Sequence, residues 1–144
     1  MIRTILLIFL FTTFAYAKTP FTLTGIKELY PVVEIHTDYV SQTYVAVIKK
    51  KLTQKIEALG INTKNFSDRS IAVLISGFSI GDEPVVHIKL LIGENIKRED
   101  GVETFAMTYA NEDIFEVFKL DEDLNQSIDN LLEQFAEQYK EDNE

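Results

Sequence analysis

The stretch Ile71-Ala72-Val73-Leu74-Ile75-Ser76-Gly77-Phe78-Ser79-Ile80 carries the strongest structural signal in the chain, together with Gly81-Asp82-Glu83-Pro84 and Val85-Val86-His87-Ile88-Lys89-Leu90-Leu91-Ile92 behind it. The first ten residues are apolar on both alternating faces, with Ile71, Val73 and Ile75 on one and Ala72, Leu74, Phe78 and Ile80 on the other. A strand of that kind belongs in the middle of a sheet. The four polar residues after it form a turn, and Val85 to Ile92 reads as the return strand of a hairpin. Its alternation places Val86, Ile88, Leu90 and Ile92 on a core face and Val85, His87, Lys89 and Leu91 on the other.

Upstream of the hairpin the period changes from two to about 3.6. Tyr44, Val45, Ile48, Leu52, Ile56 and Leu59 recur every three or four residues, which predicts a helix over Ser41 to Leu59 with one apolar stripe. Asp38 or Ser41 can cap its start, and Gly60 stands where a left-handed residue is wanted at its end. The polar linker from Asn62 to Arg69 then leads into the hairpin. Before the helix, Leu29 to Thr37 is rich in β-branched residues and predicts a first strand, with Val33 and Ile35 on one face and Val32, Glu34 and His36 on the other. Pro31 cannot donate to a ladder, so this strand is expected at an edge. Residues 18 to 28, with Pro20 and Gly25, read as a lead-in segment or a short edge strand.

Downstream, a charged loop from Gly93 to Gly101 precedes a fourth strand over Val102 to Ala110. There Phe105, Met107 and Tyr109 alternate with Thr104, Ala106 and Thr108. Asn111-Glu112-Asp113 interrupts the pattern, and Ile114 to Phe118 fits either a resumed strand or a short helical turn. Leu124, Ile128, Leu131, Leu132, Phe135 and Tyr139 give a second helical stripe after the capping candidate Asp121, fraying into Lys140 to Glu144. The order is βαβββα, and each helix has one apolar stripe. The expected fold is therefore a two-layer α+β sandwich, with two helices on one face of a mixed, mostly antiparallel four-stranded sheet.

The N-terminus gives the address. Arg3, an apolar run from Ile5 to Leu10 extended through Phe14, and Ala15-Tyr16-Ala17 have the charge, apolar and small-residue regions of a secretory signal peptide. That run is too short to span a bilayer, which takes about 20 apolar residues. Residues 1 to 17 are expected to be cleaved, leaving residues 18 to 144 as a single soluble domain with a short acidic tail. The expected location is the periplasm, with full secretion as the alternative.

Composition closes off several chemistries. With 0 cysteines, disulfides, thiol nucleophiles, zinc thiolates and a lipid-modified N-terminal cysteine are ruled out together. The formal net charge of −9 falls by one more unit when Arg3 leaves with the leader. Such a chain repels phosphate backbones and anionic lipid, so nucleic acid is not an expected partner. Lys49-Lys50-Lys51 reads as a solvated helix face. No Gly-x-Ser-x-Gly elbow, P-loop, Gly-x-Gly-x-x-Gly or His-Glu-x-x-His occurs, and the carboxylates at Asp121, Glu122 and Asp123 suit a helix start. The chain is expected not to be an enzyme and to carry no cofactor.

What is left over is a surface. If Val33, Ile35, Ile88, Leu90, Phe105 and Met107 meet the helices, then Val32, Glu34, His36, Val85, His87, Lys89, Leu91, Thr104 and Thr108 face away. That half-apolar face is a candidate contact site, since monomers rarely leave large apolar patches bare. Val32, Glu34, Val85, Lys89 and Leu91 are its predicted partner-binding residues, and another envelope protein is the expected partner. The competing reading has the lead-in or the Ile114 to Phe118 piece folding over the face. A second alternative makes it a small-ligand or metal carrier, with His36 and His87 as ligands and Glu34 as a third. Two acceptor-like sequons, Asn65-Phe66-Ser67 and Asn125-Gln126-Ser127, complete the inventory; the second falls inside the predicted helix.

Overall fold

The computed structural model describes residues 22 to 144, so the predicted signal peptide lies outside the described residues. The elements are β1 (Tyr30–His36), α1 (Tyr44–Ala58), β2 (Arg69–Ile80), β3 (Glu83–Lys97), β4 (Glu103–Glu116) and α2 (Leu120–Asn143). The sheet order is β1-β2-β3-β4, with β1 parallel to β2 and the other two pairings antiparallel. This is the expected two-layer sandwich. The parallel pairing follows from α1, which carries the chain back to the starting end of β1 before β2 begins.

Both helices lie on one face, α1 against β1 and α2 over β3 and β4. Between the layers, Ile48, Leu52 and Ile56 from α1 and Leu124, Ile128, Leu131 and Phe135 from α2 meet Ile71, Val73, Ile75, Ile88, Leu90 and Ile92 from the central strands. The central strands supply that core because only they have neighbours on both sides. The helices run parallel, and their contact is stitched by Tyr44 to Asp121, Lys51 to Asp129 (2.8 Å) and Lys55 to Glu133. Two of the three lysines of the basic run are accounted for by packing. Lys51 makes that inter-helix ion pair, and the Lys49 ammonium sits 5.4 Å from the centre of the Tyr30 ring.

Local signals explain the boundaries. Gly60 has φ +79° directly after α1, the left-handed geometry that a residue without Cβ adopts at no steric cost. The β2–β3 turn is tighter than the sequence suggested: Ile80 pairs with Glu83, leaving Gly81 (φ +64°) and Asp82 as the two-residue loop. At the start of α2, the Asp123 carboxylate accepts hydrogen bonds from the N–H groups of Phe118 (3.0 Å) and Lys119 (2.8 Å). The cap is therefore Asp123, reaching back from the first turn, where Asp121 had been expected.

Three other expectations are corrected. Asn111-Glu112-Asp113 does not interrupt the fourth strand: β4 runs unbroken through it, so of the two readings of Ile114 to Phe118 the strand holds as far as Glu116. The C-terminus does not fray at Lys140: α2 extends to Asn143, and its last turn is held by the lead-in segment. There Asp142 accepts from the N–H of Leu23 (2.7 Å), Asn143 accepts from the N–H of Gly25 (2.9 Å), and the Tyr139 hydroxyl donates to the carbonyl of Ile26 (3.0 Å). Leu23, Ile26 and Leu29 are buried in the core as a result. The third correction concerns the phase of β4. A bulge opposite Ile92 and Gly93 leaves Thr108 unpaired, with Tyr109 opposite Ile92 and Met107 opposite Gly93. One extra residue reverses the side-chain alternation on either side of it. Tyr109 stays in the core, whereas Phe105 and Met107 turn to the face away from the helices and Thr104 leaves it.

Candidate functional site

The pairing register fixes what stands on the helix-free face. One row across the sheet is His36, Ser76, His87 and Ile114; the next is Glu34, Leu74, Lys89 and Glu112; the next is Val32, Ala72, Leu91 and Ala110. The row at one end holds Tyr30, Ser70, Gly93 and Met107, and the Phe105 ring occupies the space over Gly93. Gly93 has no side chain to compete for that space, since a Cβ there would lie 2.3 Å from the ring. At the opposite end Phe78 and Ile80 continue β2.

This face is more apolar than the sequence phases indicated. Phe78, Ile80, Phe105, Met107 and Ile114 are all exposed on it, with Phe105 at 63 % and Met107 at 62 % of full accessibility. Beside them, Leu74, Leu91, Met107 and Ala110 line a shallow depression of about 400 Å³, edged by Lys89 and Glu112. Among the described residues neither segment proposed to cover the face does so: the lead-in from residue 22 onward packs on the last turn of α2, and Ile114 and Phe115 are part of the sheet itself.

The predicted residues fall as follows. Val32, Glu34, Lys89 and Leu91 stand on the face, with Glu34 exposed and the others part-exposed. Val85 also points to this side but is 2 % accessible, with Phe78 and Glu116 opposite it on the neighbouring strands. It supports the patch from within and offers a partner no surface. Phe105, Met107 and Ile114 are the residues that sequence reasoning missed; only the bulge brings the first two to this side.

The polar groups form local pairs. His36 bonds Glu34 (2.9 Å), and His87 bonds Glu112 (3.0 Å), with the Lys89 ammonium 3.9 Å from the same carboxylate. His36 and His87 share a row but have Ser76 of β2 between them, which separates their backbones by two strand spacings, roughly 10 Å. Each ring turns to a different carboxylate. Among the described residues no group of three or more metal-ligating side chains is assembled. No helix among them is long and apolar enough to cross a membrane.

The sequons fare differently. Asn65 is exposed in the loop before β2. On α2, Asn125 donates to the carbonyl of Asp121 (2.6 Å), and Ser127 is buried. The second sequon is thus folded into the helix and core.

No family model and no curated protein matches this chain. Among solved structures it is similar to the PelC dodecamer from Paraburkholderia phytofirmans, at 11 % identity and TM-score 0.47, covering 78 % of this chain and 86 % of that one. It is also similar to a minor lipoprotein from Acinetobacter baumannii, at 15 % identity and TM-score 0.31, covering 78 % and 91 %.

Proposed function

We propose that the protein is an exported, non-catalytic binding module of the cell envelope, working in the periplasm, that meets another protein through the helix-free sheet face. The observation that carries this reading is the exposure of Phe78, Ile80, Phe105, Met107 and Ile114 on one side of the sheet, with no described segment over them. Scattered apolar side chains need no explanation, but here Phe78, Ile80 and Ile114 gather at one end of the face and Phe105 and Met107 at the other, with the shallow depression lined by Leu74, Leu91, Met107 and Ala110 between them, which suits an interaction surface. Lys89, Glu34 and Glu112 supply polar groups of both signs within it, which suits a face that must stay hydrated when alone. The signal-peptide pattern read in residues 1 to 17 supports the compartment.

The test is the double variant Lys89→Asp with Leu91→Ser, purified from the source envelope after crosslinking. Both side chains are part-exposed, so circular dichroism and melting should match wild type while partner capture disappears. Capture at the wild-type level would remove the face from the account.

A further inference from the structure

We infer that the outer edge of β4 is the docking strand for an extended polypeptide that is apolar toward one end and carries lysine or arginine toward the other. This rests on the reading of the helix-free face as an interaction surface, and it adds how the partner engages and what chemistry it brings.

Among the described residues no strand pairs with the outer edge of β4, and the phase of that edge is fixed. The Val117 N–H donates to the carbonyl of Pro84 at 3.0 Å. In an antiparallel ladder inward and outward residues alternate, so Phe115, Asp113, Asn111 and Tyr109 turn their backbone groups to β3. Ala110, Glu112, Ile114 and Glu116 turn theirs away from the sheet. Of these four, the Glu112 N–H is taken up locally by the Asn111 side chain (2.9 Å). β4 is 14 residues long, and an unpaired edge of that length is a template for strand addition. The side chains of these same residues stand on the helix-free face, beside the depression lined by Leu91, Met107 and Ala110. An added strand would lay its own side chains along that apolar strip.

Charge then selects the occupant. β4 contains Glu103, Glu112, Asp113 and Glu116 and no lysine, arginine or histidine. Glu112 is met by His87 and Lys89, whereas Glu103, Asp113 and Glu116 have no ion-pair partner among the described residues. A second copy is a poor occupant. Pairing β4 with another β4 sets carboxylates only against carboxylates or neutral residues, in any register, and like charges directly opposite destabilise a strand pair. The other edge, β1, has the sequence Tyr-Pro-Val-Val-Glu-Ile-His and offers no lysine or arginine either. Three of the four acids lie in the C-terminal half of β4, and the apolar side chains Phe105 and Met107 in its N-terminal half. The complementary strand is apolar toward one end and basic toward the other.

The probe is a capped nine-residue peptide, half valine and threonine, half lysine alternating with valine; its control carries glutamate for each lysine. Wild-type protein, Ile114→Pro and Leu91→Ser are titrated by fluorescence polarisation at low and high salt, and amide exchange is followed on β4. Ile114→Pro removes an outward N–H and no ladder bond, so the sheet should survive it. The inference expects the lysine peptide to bind wild type, to slow exchange at Ala110, Ile114 and Glu116, and to weaken at least tenfold in Ile114→Pro, in high salt and on glutamate exchange. Equal binding to Ile114→Pro, or equal binding of the glutamate peptide, overturns it. Binding lost in Leu91→Ser but untouched in Ile114→Pro overturns the edge mode alone and leaves the face reading standing. A wild-type dimer in light scattering that Ile114→Pro dissociates overturns it in favour of a second copy.

Discussion

Replacing Phe105 and Met107 together with serine separates two incompatible roles for these side chains. If both belonged to the core, as uniform alternation with Tyr109 suggests, removing them would cost about 5–10 kcal/mol, since Phe→Ala and Met→Ala in cores cost about 3–5 and 2–5. A domain of this size has about 5–15 kcal/mol of stability in total, so it would barely fold. The structure leaves them 63 % and 62 % accessible, so only about a third of each is withdrawn from water. Full burial of such side chains is worth about 1.5–3 kcal/mol, and a third of that is roughly 0.5–1 kcal/mol each. The pair should therefore cost about 1–2 kcal/mol, an upper figure because unfolded chains already bury some apolar surface. Urea denaturation followed by circular dichroism should show a small drop in midpoint with an unchanged slope, and melting should fall by about 4–8 °C. A loss above about 4 kcal/mol, or a chain that no longer folds, would refute the assignment of these residues to the open face.

Three further outcomes follow from the helix layer. The Ser127 hydroxyl is buried without a hydrogen-bond partner in the described structure; Ser127→Ala removes that unmet group and favours the helix, so it should raise stability by about 1 kcal/mol in the same urea assay. The hydrogen bond from Lys55, reinforced by its charge, holds the Glu133 carboxyl below its usual value of 4.5. A carboxylate lowered in the folded state stabilises above its unfolded pKa and loses that contribution as pH falls through the folded one. Lys55→Met should therefore be less stable than wild type above the ordinary value of 4.5, with the difference closing as the pH falls below it and shrinking in salt. Asp142→Ala with Asn143→Ala should speed amide exchange at Leu23 and Gly25 at least tenfold while β2 and β3 keep their protection, because those two side chains hold the lead-in.

Much of this arrangement was legible in the sequence, because it depends on periods. The α1 stripe from Tyr44 to Ile56, the capping Gly60, and the alternation of Val86, Ile88, Leu90 and Ile92 each translate directly into an element and a face. Pro31 correctly marked an edge strand. The bulge was not legible: Phe105, Met107 and Tyr109 alternate without a break, and the reversal is created by which residue of β3 each one faces. Nor was the course of the lead-in. Leu23, Ile26 and Leu29 are spaced by three, but their burial depends on Asp142 and Asn143, more than a hundred residues away, and no local pattern announces such a contact. The candidate site was half legible for the same reason. Val32, Glu34, Lys89 and Leu91 follow from strand phase, whereas placing His36 and His87 in one row with β2 between them requires the strand order.

The central claim is that the sheet side of this sandwich is a contact surface and the helix side is not. Placing a photo-crosslinking residue at Met107 in one strain and at Val47 in another tests it most directly. Val47 is 52 % accessible and lies on α1, so it controls for exposure alone. The account predicts a discrete crosslinked adduct from Met107 in living cells, absent from Val47. Adducts of equal yield from both positions, or from Val47 alone, would contradict it.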